Sequence, residues 1–365
     1  MLQELEKHNE EELSFYLKQT PDPIVKRAYH MALEKYEPIL RENANRYVLF
    51  PIQHSDMWEM YKKAQGSFWT TGEVSLSDDV LQWRAPDNSP DNKIDKGTRE
   101  FVKQILGFFA QFDLIINENL NDNFINEVQC PEAKSFYGFQ IAMENIHSEQ
   151  YAMLIDTYIE LASEKDFLFR SIETIPCVKK MASWAFKWMN RDRPFCDRLV
   201  AFACIEGIMF SGPFCAIYWL KSRGLLPGLA MANELISRDE AMHTDFACLL
   251  NSKLKYPASS ETIIEIITEA TELEIEFINE SIPCRLIGMN SDLMGQYIKF
   301  VADRLLVQLG VEKIYNVPNP FSFMDLISVD NKTDFFSRRV SDYSKPGFNS
   351  TGQLKKEDIQ LLEDF

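Results

Sequence analysis

The chain is short of positive charge, of histidine and of patterned cysteine, and each shortage narrows what it can do. Its 38 lysines and arginines face 55 aspartates and glutamates, for a net charge of −17. Such a field repels a phosphate backbone, and no long basic stripe reverses it locally, which argues against nucleic-acid binding. Seven cysteines (130, 177, 196, 204, 215, 248 and 284) show neither CxxC nor framework spacing. They read as reduced thiols of a cytoplasmic protein, with no convergent set for zinc or an iron–sulfur cluster. The start, MLQELEKHNEEELSF, lacks the basic and apolar stretches of a secretory leader. Long apolar runs are missing as well, with one exception at residues 201–220, AFACIEGIMFSGPFCAIYWL. A carboxylate at Glu206 would be costly in hydrocarbon, and Gly207, Gly212 and Pro213 interrupt the run. The segment is therefore read as a buried helix and not a membrane span, and Glu206 as a buried acid in need of a partner.

What is present is the composition of a globular protein, 45% hydrophobic and 12% aromatic. Strand-like alternation is nearly absent. Apolar residues recur at helical spacing over residues 22–47, about 98–126, 132–162, 170–190, 195–223, 229–254, 260–286 and 291–310. Gly224, Pro227, Gly228 and the Pro257 to Ser260 turn separate neighbouring helices, with Ser259 and Ser260 placed to cap the helix before Glu261. Residues 84–98 are rich in turn formers and read as a surface connection. The expected organisation is a polar segment at 1–20, one helical domain at 21–330 and a flexible tail at 331–365, whose apolar density is too low for a core.

Two of only five histidines stand in the same frame, Glu-x-x-His, in AMENIHSEQY and SRDEAMHTDF. On a helix, positions i and i+3 share a face, so Glu144 with His147 and Glu240 with His243 each offer one oxygen and one nitrogen in the same direction. Asp113, in FFAQFDLIINENL, and Glu206 are two more acids within apolar surroundings. Four antiparallel helices resolve all these burials at once: two contribute a single carboxylate and two contribute Glu-x-x-His. The expected fold is thus all-α, a ferritin-like bundle with further helices around a four-helix di-metal core. Oxygen and imidazole donors suit iron or manganese. Tyr151 falls on the ligand face one turn beyond His147, while Phe210 and Phe214 follow Glu206 at plus four and plus eight and Ile236 precedes Glu240 by four. Such a stripe is ordinary core packing, or a dry wall around an oxidised phenol.

With these residues assembled, the chain resembles the small subunit of class I ribonucleotide reductase, closest to the eukaryotic type, over about residues 20–345. QGSFWTTGEVSLSDD, FYGFQIAMENIHSEQYAMLIDTYIE, LVAFACIEGIMFSG, ELISRDEAMHTDFACLL and QYIKFVADRLL followed by NPFSFMD carry the resemblance. It implies a centre of two iron ions per chain, with manganese an open alternative, held by Asp113, Glu144, His147, Glu206, Glu240 and His243. It further implies reaction with dioxygen, a stored radical on Tyr151 inside a pocket of Phe210, Phe214 and Ile236, and an electron relay through Trp69 and Asp239. Tyr343 falls where the family passes the radical to its large catalytic subunit, and Leu361, Leu362 and Phe365 where the tail docks on that subunit. A homodimer is implied too. Departures are Thr71 and Gly72 where relatives commonly carry Ala and Glu, Met209 for a frequent Phe, and the terminal LLEDF. The competing function is a di-metal oxidase of a small organic substrate, with Tyr151 merely structural.

Overall fold

The computed structural model describes residues 2–5, 7–87, 89, 92–281 and 291–324. Among them there are helices and turns but no strand, as the missing alternation leads one to expect. The helices used below are α1 (Glu10–Gln19), α2 (Pro23–Leu33), α3 (Ser55–Gly66), α4 (Lys96–Asn119), α5 (Pro131–Tyr158), α6 (Pro176–Met189), α7 (Phe195–Cys204), α8 (Ser211–Ser222), α9 (Pro227–Ser252), α10 (Ser260–Ser281) and α11 (Ser291–Gln308). A π turn, Ile205–Met209, links α7 to α8, and a second, Leu120–Phe124, follows α4.

Helices α4 and α5 pack along one another, as do α7 and α8 against α9, while α3 covers α5 and α10 pairs with α11. The apolar run noted above lies within Phe195–Ser222, a stretch long and apolar enough to span a membrane by composition, yet 89% of its most apolar window is buried inside the protein. Burial of that face against α9 and α10 is what its hydrophobicity serves.

Several helix ends differ from the periodic reading, and proline explains them. The helix expected over 22–47 stops at Leu33 and closes in a 3-10 turn, Glu34–Tyr36, because Glu37 precedes Pro38 and is extended, with φ −75° and ψ 117°. Ile175 before Pro176 is extended for the same reason, which splits the helix expected at 170–190 into Ser171–Thr174 and α6. Ser259 is the cap of α10, its hydroxyl accepting from the Thr262 N–H. Within the polar segment at 1–20, Asn9 and Glu12 form a capping box that starts α1, and Leu13 is fully buried with Ala32 and Leu33 of α2. The helical body runs to Pro320, and a second unit begins at Phe321.

The start of α9 is set by a residue far away in sequence. Asp79 is fully buried and accepts from the N–H groups of Gly228 (2.7 Å) and Leu229 (2.8 Å), and the Tyr158 hydroxyl donates to it at 2.5 Å. One carboxylate thus caps α9 and ties it to the end of α5. Gly228 is required there, since a Cβ would lie 2.4 Å from the Ser75 carbonyl oxygen.

Candidate metal centre

Four helical segments each turn acids or imidazoles toward the same interior. Asp113 comes from α4, Glu144 and His147 from α5, Glu206 from the π turn, and Glu240 and His243 from α9. None of the six is more than 3% exposed. They form two overlapping groups whose donor atoms lie within 4.8 Å of one another: Asp113, Glu144 and His147 in one, and Glu144, Glu206, Glu240 and His243 in the other. Glu144 belongs to both. His147 Nδ1 stands 2.9 Å from Glu240 Oε1 and 3.2 Å from Glu144 Oε2, and His243 Nδ1 stands 2.8 Å from Glu240 Oε2 and 3.0 Å from Glu144 Oε1.

So many acids in a dry space perturb one another. Burial, then Glu144, pushes the Asp113 carboxyl well above the usual range, and burial, then Glu240 and Glu144, does the same to Glu206. Burial opposes charge on His243 as well, yet Glu240 and Glu144 outweigh it and raise the imidazole to about 10. The two histidines in turn hold Glu240 low against its own burial. Two imidazoles therefore compensate part of the negative charge and leave the rest seeking cations. Both oxygens of Asp113 and Oε2 of Glu206 have no hydrogen-bond partner among the described residues, an expensive condition for buried carboxyls. A pair of divalent ions fits this donor set in number, in hardness and in charge.

Of the other sequence-derived candidates, Trp69 and Asp239 lie against His147. His147 turns Nε2 toward Asp239 Oδ2 at 3.3 Å, and that same oxygen accepts the Trp69 indole N–H at 2.7 Å. The Trp69 and His147 rings lie 5.9 Å apart at 22°. Tyr151 is 2% exposed, and burial, followed by the carboxylates of Asp113, Glu240 and Glu144, drives its phenol pKa up. Phe210, Phe214 and Ile236 are all buried. Tyr343, Leu361, Leu362 and Phe365 lie outside the described residues. Of the departures, Thr71 donates to Glu149 at 3.2 Å and Met209 is buried in the π turn.

Three contributors escaped the sequence reading. Phe109 stacks on Tyr151 with ring centroids 4.7 Å apart at 5°, and it also meets Phe210 and Phe214 at 5.3 and 5.0 Å. It could have been found, for it precedes Asp113 by four residues on α4 and so shares its face. Arg238 donates to Asp239 Oδ1 from Nε (3.2 Å) and Nη2 (3.0 Å) and reaches the Ser67 carbonyl at 2.8 Å. Gln140, 1% exposed, donates from Nε2 to Glu206 Oε1 at 3.0 Å. Arg238 adjoins Asp239 and Gln140 precedes Glu144 by four residues, but their contacts with Ser67 and Glu206 cross the fold and leave no local signal.

A single carboxylate from each of two segments and Glu-x-x-His from each of two helices define a ferritin-like helical protein of the kind built to hold two metal ions. Residues 46–320 match the family described as ribonucleotide reductase, small chain, and the protein belongs to that family. A ribonucleoside-diphosphate reductase small chain of Arabidopsis thaliana is 53% identical over 333 residues, covering 90% of this sequence and 98% of that protein. The ribonucleoside-diphosphate reductase small chain of Variola virus is 55% identical over 314 residues, covering 86% and 96%. In solved form, a ribonucleotide reductase homodimer from Saccharomyces cerevisiae superposes with a TM-score of 0.74 at 38% identity, covering 91% of this sequence and 100% of the other.

Proposed function

We propose that this small chain of ribonucleoside-diphosphate reductase holds two iron ions on Asp113, Glu144, His147, Glu206, Glu240 and His243 and stores a radical on Tyr151. The observation that carries the reading is the convergence of those six buried side chains, together with a buried Tyr151 stacked on Phe109, which in turn meets Phe210 and Phe214. When bound, an iron(II) pair would supply two of the four electrons that take dioxygen to water, with the third drawn from the Tyr151 phenol and the fourth from an external one-electron reductant such as further iron(II). The aromatic wall excludes water and reductants from the oxidised ring. Trp69, hydrogen-bonded to Asp239 and through it to His147, forms the electron relay toward the ligand cluster.

Tyr343 would carry the radical onward and Leu361, Leu362 and Phe365 would dock on the large catalytic subunit, where ribonucleotide is reduced to deoxyribonucleotide. The homodimeric assembly of the Saccharomyces cerevisiae relative supports a homodimer here. Buried free thiols at the six described cysteines suit a cytoplasmic location. An oxidase of small organic molecules would need a substrate pocket open to the ligands. Among the described residues, one open groove of about 580 Å³, lined by Ile115, Glu118, Asn119, Phe186 and Arg191, includes none of the six. Adding iron(II) and air to metal-free protein should give a tyrosyl signal in electron paramagnetic resonance, and Tyr151→Phe should abolish it while binding the same iron. A fully iron-loaded wild type without that signal would refute the assignment.

A further inference from the structure

Of the six candidate ligands, Glu206 alone stands outside a regular α-helix. It stands in the π turn, followed by Gly207, where the regular ladder of i to i−4 hydrogen bonds is broken. What fixes its carboxylate is a side chain from another helix. Gln140 precedes Glu144 by four residues on α5, and its carboxamide Nε2 donates to Glu206 Oε1 at 3.0 Å while also reaching Glu144 Oε1 at 3.4 Å, the weaker of the two contacts. The donor lies between two acids that would otherwise repel. With Oε1 engaged, Glu206 is left with Oε2, an oxygen that has no hydrogen-bond partner among the described residues.

The two donor groups do not share Glu206. It joins Glu144, Glu240 and His243, and is missing from the group of Asp113, Glu144 and His147. A hydrogen bond acting through Glu206 therefore bears on one metal position more than on the other. Resting on the metal reading above, we infer that Gln140 is a positioning residue: it holds Glu206 so that Oε2 alone faces the metal, and it thereby sets the affinity of the position that Glu206 serves.

Gln140→Met keeps the length and bulk of the side chain and removes the donor. Metal-free wild type and variant would be titrated with manganese(II), with bound ions counted by equilibrium dialysis and melting of the metal-free forms followed in parallel. Wild type should take up two ions per chain. The variant should keep the first within about twofold and bind the second about 10- to 100-fold more weakly. In a Glu206→Gln background the same substitution should add less than about twofold, since its effect runs through that carboxylate. Should Gln140→Met fail to fold, Gln140→Asn retains the amide but is one methylene too short, and the same selective loss is expected. Equal weakening of both ions, or unchanged binding of both, would overturn the inference. A wild type that does not take up two ions would instead remove the metal reading on which it stands.

Discussion

His147 joins the two halves of the site through its two ring nitrogens, Nδ1 among the carboxylates and Nε2 on Asp239. Because Asp239 also takes the Trp69 indole N–H and two bonds from Arg238, it fixes the imidazole without being among the metal-facing groups. Asp239→Asn should leave iron stoichiometry intact yet slow radical formation by at least about tenfold in stopped-flow measurements, because it removes the charge that orients His147. A second buried imidazole makes a contrasting prediction. Burial pushes His30 down to about 4, so it is neutral in the fold but takes a proton once unfolded below about 6.5. The unfolded chain then binds the extra proton, and stability falls as the pH drops from about 6.5 to 4, by up to about 3 kcal/mol. The difference between wild type and His30→Gln in chemical denaturation of the metal-free protein should show that loss, since buried carboxyls such as Glu34, raised to about 7 by burial, shift the total stability the other way over the same range.

At the level of helices and turns, much of the arrangement is legible in the sequence. Glu-x-x-His combines ligand chemistry with helical spacing inside four residues, so Glu144, His147, Glu240 and His243 announce both their helix and the face they share. Asp113 and Glu206 stand out because a lone acid among apolar residues needs an explanation. The π turn at Ile205–Met209 is not legible, since one extra residue in a turn leaves the apolar pattern of 195–222 nearly unchanged. Contacts made across long sequence separations are equally hidden: Gln140 with Glu206, or Asp79 with the N–H groups of α9. The tight seat of α9 yields its own test. Gly228→Ala would force a Cβ against the Ser75 carbonyl and displace the cap, at a cost of about 1–3 kcal/mol in urea unfolding.

Across the whole molecule, metal binding at these six residues would be linked to folding, because they come from segments spread between residues 113 and 243. A cluster of buried acids that is only partly neutralised by two imidazoles opposes folding when empty and favours it when filled. Iron saturation at about 100 times the dissociation constant should add about 2.7 kcal/mol per independent site, raising the melting temperature, and a chelator should reverse the shift. Unchanged melting on loading would separate the cluster from the fold's stability.

Anomalous diffraction at the iron edge from crystals of iron-loaded protein addresses the central claim directly. Two peaks per chain are predicted, one against Asp113, Glu144 and His147 and the other against Glu144, Glu206, Glu240 and His243, with Tyr151 beside the first group. A single peak away from these residues, or none in protein shown to be loaded, would contradict the account.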